Sequence, residues 1–274
     1  MKYASLSDLK DQFDVFLIDQ FGVLIDGIGA YDEAVSALRF LLEARKTVII
    51  LTNSGKRAAH TEARLEGHGF PLANVQVVSS GEVARALLAK RFEGQSKPLA
   101  VWFEAENTSA SPLDGLWVRY VDEIRQADLV MIAGVQSETV SLEIYEAAFT
   151  HAIRRGLPCI CTNPDQQRLT SKGVRFAAGQ IATLYQDLGG QVEWIGKPYR
   201  AIYDYALSLA PKGAKIICLG DSVAHDIKGA NAAGLPSALV LTGLAGSLTE
   251  EDLAALFHKY EVSPDYLLPA FKVS

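Results

Sequence analysis

VFLIDQFGVLIDG, residues Val15 to Gly27, decides how the rest of the chain is read. Four apolar residues, Val15-Phe16-Leu17-Ile18, run into a carboxylate at Asp19, and a glycine follows at Gly22. An unbroken apolar run that stops at a polar residue and a glycine reads as a buried strand feeding a turn. The same signature returns in TVIILTN, VQVVSSG, LAVWFEA, DLVMIAG, PCICTNPD, KIICLGDS and SALVLTG. Most of these runs are β-branched, and the more uniform ones lack the alternation of a half-exposed strand. They read as parallel strands covered on both faces. Between many of them lie helical stretches: YDEAVSALRFLLEAR, GEVARALLAKRF, SLEIYEAAFTHAIRRG, AGQIATLYQDLGG and YRAIYDYALSLA. In the third, Ile144, Ala147, Ala148 and, a turn on, His151–Ala152 mark the inner face, with Gly156 as the stop. Strands alternating with helices predict an α/β fold with right-handed crossovers.

A chain of 274 residues, 49% hydrophobic and 21% charged, accommodates one large domain or two modest ones around a real core. Gly94, Ser96 and Pro98 cluster in FEGQSKPLAVWF, and Gly189 and Gly190 in LGGQVEWIGKP. Cuts there predict a discontinuous core with a domain inserted near residues 95–190. The net charge of −6, without a block of like charges, argues against a nucleic-acid or anionic-membrane partner. An anionic small substrate therefore needs a local cation. No apolar run approaches the roughly 20 residues that span a bilayer, and MKYASLSDLKDQFDVF lacks the apolar stretch of a signal peptide. A cytoplasmic protein is the expectation. The three cysteines, Cys159, Cys161 and Cys218, make no disulfide framework. Cys159 and Cys161 fall on one strand face and read as buried filler rather than metal ligands. Trp102, Phe103 and Trp117 likewise read as core.

Open parallel sheets bind ligands beyond the carboxyl ends of their strands. Asp19 ends the first strand, Thr52 and Asn53 end VIILTN, Lys197 follows VEWIG, and Asp221 ends IICLG with Asp226 five residues on. Converging carboxylates with a lysine and a hydroxyl suit a divalent cation and a phosphoryl group. Hard oxygen ligands favour Mg²⁺, lysine supplies a point charge, and Thr52 a hydrogen bond. Taken singly, each residue also has a structural reading. Asp19 caps a turn before Gly22, Thr52-Asn53-Ser54 caps the next helix, Lys197 is a solvated loop charge, and Asp221 is a turn or N-cap residue. Gly27 and Gly29 give only part of a dinucleotide fingerprint. TNSGK lacks the leading glycine of a phosphate loop, and no Ser or Thr follows Lys56.

The ordered set carries a resemblance. DQFGVLIDG, LTNSG, GKP and GDSVAHDIKGANAAG are similar, in that order, to the four motifs of the haloacid dehalogenase superfamily of phosphohydrolases. The closest likeness is to the subgroup with a large α/β cap that includes p-nitrophenyl-phosphate and pyridoxal-phosphate phosphatases. CTNPD resembles a cap segment of that subgroup, and SPDYLLPAF its closing strand. The resemblance implies a Rossmann-like parallel-sheet core over residues 1–94 and 191–274, with an α/β cap over 95–190. It further implies Asp19 as nucleophile and Mg²⁺ ligand, Asp221 as a second ligand, and Asp226 as the residue that holds a metal-bound water or orients the groups around the metal. Thr52, the backbone at Asn53, and Lys197 bind the phosphoryl group, and Lys197 also neutralises Asp19. Asn163 and Asp165 are the specificity residues, although an Asx turn around Pro164 is the competing reading. A small phosphorylated metabolite is the implied substrate, and homodimerisation through the cap is a family expectation.

Phe21 departs from the pattern. Phosphatases of this family carry a second aspartate there, which protonates the leaving group and activates water. The Phe21 backbone carbonyl, which the family uses as a metal ligand, survives the change. General acid–base catalysis is worth ~10²–10⁴-fold, so the resemblance implies either a hydrolase that is slow or selective for activated esters, or a non-catalytic phosphate-binding protein. His225 and, from the cap, Asp165 are candidate substitutes for the missing group, and Gln20 is assigned no chemical role.

Overall fold

The computed structural model describes residues 2–137, 139–170 and 173–273. The chain begins with β1 (Lys2–Tyr3), α1 (Leu6–Gln12), β2 (Val15–Asp19), α2 (Ala34–Glu43), β3 (Thr47–Thr52), α3 (Ala58–Gly67) and β4 (Val75–Ser79). It continues through α4 (Ser80–Arg91), β5 (Leu99–Glu104), β6 (Val118–Tyr120), β7 (Leu129–Ile132), α5 (Glu143–Arg154), β8 (Cys159–Cys161), β9 (Gln167–Thr170), β10 (Gly173–Phe176), α6 (Ala178–Asp187) and β11 (Val192–Trp194). It closes with α7 (Arg200–Leu209), β12 (Ile216–Gly220), α8 (Lys228–Ala233), β13 (Ser237–Val240), α9 (Glu250–Tyr260) and β14 (Tyr266–Leu268). Each apolar run read as a strand from sequence is one, and the mixed α/β class holds.

The residues group into two compact units. The first holds Met1–Thr52, Ala59–Val78 and Lys197–Ser274, and the second Asn53–Ala58 and Ser79–Gly196. The main junctions therefore lie at 78/79 and 196/197, displaced from the expected 94/95 and 190/191. Gly94, Ser96 and Pro98 sit in the α4–β5 connection, and Gly189, with φ +97°, ends α6 ahead of β11. Those glycines and the proline mark turns inside the second unit, and a turn has the same composition as a linker.

The sheet of the first unit has the order β1-β14-β13-β12-β2-β3-β4. The pairs from β1 through β3 run parallel. Phe16 and Ile18 are fully buried and Leu17 nearly so, as a strand covered on both faces requires. Strand order reverses between β2 and β12, so the carboxyl ends of these two strands flank the switch point where such sheets take ligands. Capping boxes Ser5/Asp8 and Thr249/Asp252 open α1 and α9 by satisfying otherwise unpaired N–H groups.

The second unit carries a parallel sheet of order β11-β8-β7-β5-β6 and an antiparallel pair, β9–β10. Cys159 and Cys161 are buried free thiols on β8, as expected. Helix α5 buries Tyr145, Phe149 and Ala152, while Ile144 is 55% exposed. The inner face is thus rotated from the expected one, because two aromatic rings fill more of the core than the neighbouring alanines would. Arg155 caps this helix, and Gly156, at φ +67°, turns the chain away. Among the described residues, no helix is long and apolar enough to cross a membrane.

Candidate active site

Strand β2 delivers Asp19 to the carboxyl edge of the first sheet, and β12 delivers Asp221 just beyond its own end. The loop after β12 folds Asp226 back to the same point. Its Oδ2 accepts from the Ser222 amide at 3.1 Å. Lys197 Nζ lies 2.6 Å from Asp19 Oδ1 and 2.6 Å from Asp226 Oδ1, with only 4% of its side chain exposed. Asp19, Asp221 and Asp226 each offer an oxygen within 4.8 Å of the others. Lys197 thus bridges two of three clustered carboxylates, Asp19 and Asp226.

The backbone fixes this arrangement. Asp19 Oδ1 also accepts from the Gln20 amide at 2.7 Å, and Asp221 Oδ2 from the Leu244 amide at 2.6 Å. Thr242 Oγ1 donates to the Gly22 carbonyl at 2.6 Å, tying the loop after β13 to the loop after β2. Gly22 and Gly243 have φ values of +95° and +51°, and a Cβ on either would fall 2.2 or 2.1 Å from Asp221 Oδ2. Both glycines are required by close approach as well as by backbone conformation.

Burial dominates the electrostatics. Desolvation pushes the Asp19 carboxyl well above the usual carboxylate range; Lys197 opposes this, and Asp226 and Asp221 reinforce it. Burial, followed by the charge of Asp226, pushes Asp221 up to about 6. Burial works against the Lys197 ammonium, yet the adjoining Asp19 and Asp226 outweigh it and hold its pKa above the ordinary lysine value. One cation opposite three carboxylates leaves a surplus of negative charge at an all-oxygen donor set. That surplus and those hard donors fit a small dication such as Mg²⁺.

The remaining residues singled out from sequence divide between the two units. Thr52 is buried and follows Leu51, which pairs with Asp19 across β2 and β3. Phe21 lies two residues past Asp19 with 51% of its surface exposed, and the Arg64 guanidinium stands 5.6 Å from its ring centroid. In the second unit, Asn53 Nδ2 donates to Asp165 Oδ1 at 2.9 Å, and the Asp165 amide donates to Asn163 Oδ1 at 3.1 Å. The Asx turn around Pro164 therefore exists, and it holds Asp165 against Asn53. Sequence placed Lys197 at a strand end of the same sheet, but the preceding strand, β11, pairs with β8 in the other sheet. The half-buried His225 donates its amide to Ser222 Oγ at 3.2 Å.

Two family models match the chain. One, described as haloacid dehalogenase-like hydrolase, covers residues 16–112, and the other, HAD-hydrolase-like, covers residues 194–272. Between them they take in Asp19, Thr52, Lys197, Asp221 and Asp226. The chain belongs to the haloacid dehalogenase-like hydrolases. It is 30% identical over 241 residues to D-glycerol 3-phosphate phosphatase of Mycobacterium tuberculosis, across 87% of this chain and 66% of that protein's length. A haloacid dehalogenase-like hydrolase from Brucella suis superposes with a TM-score of 0.80 at 28% identity, covering 97% of this chain and 98% of that one. Glycerol phosphate phosphatase from Mycobacterium tuberculosis in complex with calcium gives 0.68 at 28% identity, covering 88% and 68%.

Within this haloacid dehalogenase-like site, sequence reasoning missed the Thr242-Gly243-Leu244 loop and Arg64. The loop works through a backbone amide, an absent Cβ and the Thr242 hydroxyl, and only the last leaves a side-chain signature. Its one visible trace is the LTG that ends SALVLTG much as LTN ends VIILTN.

Proposed function

We propose that this chain is a Mg²⁺-dependent phosphohydrolase of small phosphorylated metabolites that works through an aspartyl-phosphate at Asp19. The reading is carried by one observation: a carboxylate at a switch-point strand end lies 2.6 Å from a buried lysine, inside a cluster of three carboxylates. The phosphatases among its relatives support the substrate class, and the calcium complex supports a divalent cation. Asp19, Asp221 and the Phe21 carbonyl would hold Mg²⁺, with Asp226 bound through water. When bound, the cation supplies positive charge that offsets the carboxylates and polarises the phosphoryl oxygens.

Asp19 Oδ attacks phosphorus, and the bond from phosphorus to the ester oxygen breaks, releasing the leaving group as an oxyanion. Thr52 and the Asn53 amide bind the phosphoryl oxygens. Lys197 spreads the charge of the transition state and holds Asp19 in line, and Asp226 fixes Lys197 in turn. Water then attacks the aspartyl-phosphate, freeing phosphate and restoring Asp19. Phe21 can neither give the leaving oxygen a proton nor take one from water, so both steps lean on solvent. Esters with acidic leaving groups are favoured accordingly. Asn163 and Asp165 select the substrate.

The test is phosphate release from a panel of phosphorylated metabolites with Mg²⁺ and with chelator. Release that vanishes in Asp19→Asn and in chelator supports the proposal. Release that survives Asp19→Asn removes it. The exposed, non-ionisable Phe21 favours a second reading, a phosphate-binding protein that no longer turns over. Thermal stabilisation by phosphorylated metabolites with no phosphate release from any of them would select that reading.

A further inference from the structure

Away from the lysine-bound carboxylates, the second unit holds a half-buried acid that makes no ion pair among the described residues. Glu104 is the last residue of β5, opposite Ile132 of β7. From β5 the chain departs toward β6 on one side, and from β7 it departs through α5 toward β8 on the other. The carboxyl edge of this second sheet therefore has its own switch point between β5 and β7, the place where parallel sheets open to ligands.

The surroundings of Glu104 have a particular chemistry. Trp102, two residues earlier, shares its face of the strand. The indole meets Tyr145 edge-on at 6.3 Å and Phe149 at 6.0 Å, and Tyr145 stacks on Phe149 at 5.8 Å. Tyr145 is 3% exposed, and its hydroxyl makes no hydrogen bond of regular geometry among the described residues. That hydroxyl nevertheless lies close enough to the Glu104 carboxyl for the two groups to perturb one another. The nearby Glu106 is taken by Arg168 at 3.0 Å, and Arg168 also donates to the Val135 carbonyl at 3.1 Å. This guanidinium bridges the loops after β5 and β7 but leaves Glu104 to itself. Burial pushes the Glu104 carboxyl to about 7, moderated by the Tyr145 hydroxyl.

We propose that Glu104, Trp102 and Tyr145 form a binding site for a protonated amino or quaternary ammonium group of a small molecule. A carboxylate supplies the counter-charge, and the half-buried indole of Trp102 attracts a cation through its quadrupole. An anion would meet a carboxylate with no cation to offset it. A neutral polyol would leave the acid uncompensated, and a metal ion would find one carboxylate where it needs several oxygens. The ammonium group belongs either to a phosphorylated substrate of the proposed hydrolase or to a separate amine.

Ligand-observed NMR with ethanolamine, tetramethylammonium and ethylene glycol at pH 8 tests the site without reference to turnover. Both ammonium compounds should bind the wild type and Asp19→Asn equally, and Glu104→Gln about tenfold more weakly, with ethylene glycol silent. Trp102→Leu should weaken tetramethylammonium more than ethanolamine, because only the former depends wholly on charge and ring faces. Unchanged binding to Glu104→Gln, equal binding of ethylene glycol, or no amine binding at millimolar concentration would overturn the proposal. A second arm compares kcat/KM for ethanolamine phosphate and ethylene glycol phosphate. A ratio that falls in Glu104→Gln assigns the amine to the substrate, and a constant ratio with binding intact assigns it to a separate ligand; either sustains the site. Loss of turnover with binding retained would count against the phosphohydrolase reading alone.

Discussion

On the proposed mechanism, replacing Phe21 with aspartate should make hydrolysis less dependent on the leaving group. The structural cost of this change is small. Half of the Phe21 surface faces solvent, and its recorded ring contact is the Arg64 guanidinium at 5.6 Å, worth about 0.5–1 kcal/mol at an exposed position. The incoming carboxyl joins a loop whose neighbours Asp19, Asp221 and Asp226 already exceed the charge of Lys197. Like charges nearby raise its pKa and keep a useful fraction protonated near neutral pH, the state a general acid requires. Arg64 supplies a partial counter-charge once the acid has given up its proton. General acid–base help is worth ~10²–10⁴-fold, about 3–5 kcal/mol of barrier. The full gain belongs to alkyl phosphates, whose alkoxide leaves poorly, and little of it to 4-nitrophenyl phosphate.

The assay is kcat/KM for a series from 4-nitrophenyl phosphate through phenyl phosphate to glycerol phosphate, with saturating Mg²⁺. In the wild type, log kcat/KM should fall steeply as the leaving group becomes more basic. In Phe21→Asp the slope should flatten, and in Phe21→Ala, which removes the ring without adding an acid, it should stay steep. Parallel lines for wild type and Phe21→Asp would refute the reasoning. So would a wild type that turns over glycerol phosphate as fast as 4-nitrophenyl phosphate, since a proton donor would then already be present.

Mg²⁺ at a hundred times its dissociation constant should stabilise the fold by about 2.7 kcal/mol, read as a rise in Tm that is lost in Asp221→Asn. Lys197→Met strands the Asp19 and Asp226 carboxylates and should cost about 3–5 kcal/mol in chelator by urea denaturation, with part of the loss recovered by Mg²⁺. Gly243→Ala puts a Cβ 2.1 Å from Asp221 Oδ2 at a φ of +51°. It should cost about 1–3 kcal/mol in stability and weaken Mg²⁺ binding by calorimetry, whereas alanine at Gly213, with nothing near its Cβ, should weaken no metal binding. The Glu104 carboxyl titrates at about 7 in the folded chain against an ordinary 4.5. The folded state thus holds the extra proton between those values, and stability falls as pH rises through that window. Glu104→Gln should remove this part of the pH dependence, leaving that of Asp19 and Asp221, and raise stability at pH 8 by about 1 kcal/mol, allowing for solvent screening of a half-buried group. Differential scanning calorimetry at pH 5 and pH 8 checks it.

The strands were legible because a parallel strand covered on both faces must be apolar along its whole length, as in Val15–Ile18 and Val48–Leu51. Helix α3 was not. Its buried residues are Thr61 and Leu65, too few to print a periodic face. The two compact units divide at other points than the expected cuts, since glycine and proline report local backbone demands and the α6–β11 turn makes the same demand as a linker. Asp19 and Asp221 could be found as charges ending apolar runs. The Leu244 amide that holds Asp221 carries no residue-specific mark at all.

One misreading has a chemical consequence. Taking Ile144, Ala147 and Ala148 as the inner face of α5 turns Tyr145 toward solvent, where its hydroxyl needs no partner. The observed rotation, set by packing Tyr145 and Phe149 against Trp102, buries that hydroxyl beside Glu104. Periodicity could not distinguish the two faces, since both present apolar residues at helical spacing and ring size alone decides between them. The carboxylate near the end of LAVWFEA thereby lies half-buried beside that phenol, with no ion pair among the described residues. The same physics that hides Lys197 and Asp226 beside Asp19 operates here with the counter-charge missing, so an ammonium ligand completes at β5 what a lysine completes at β2.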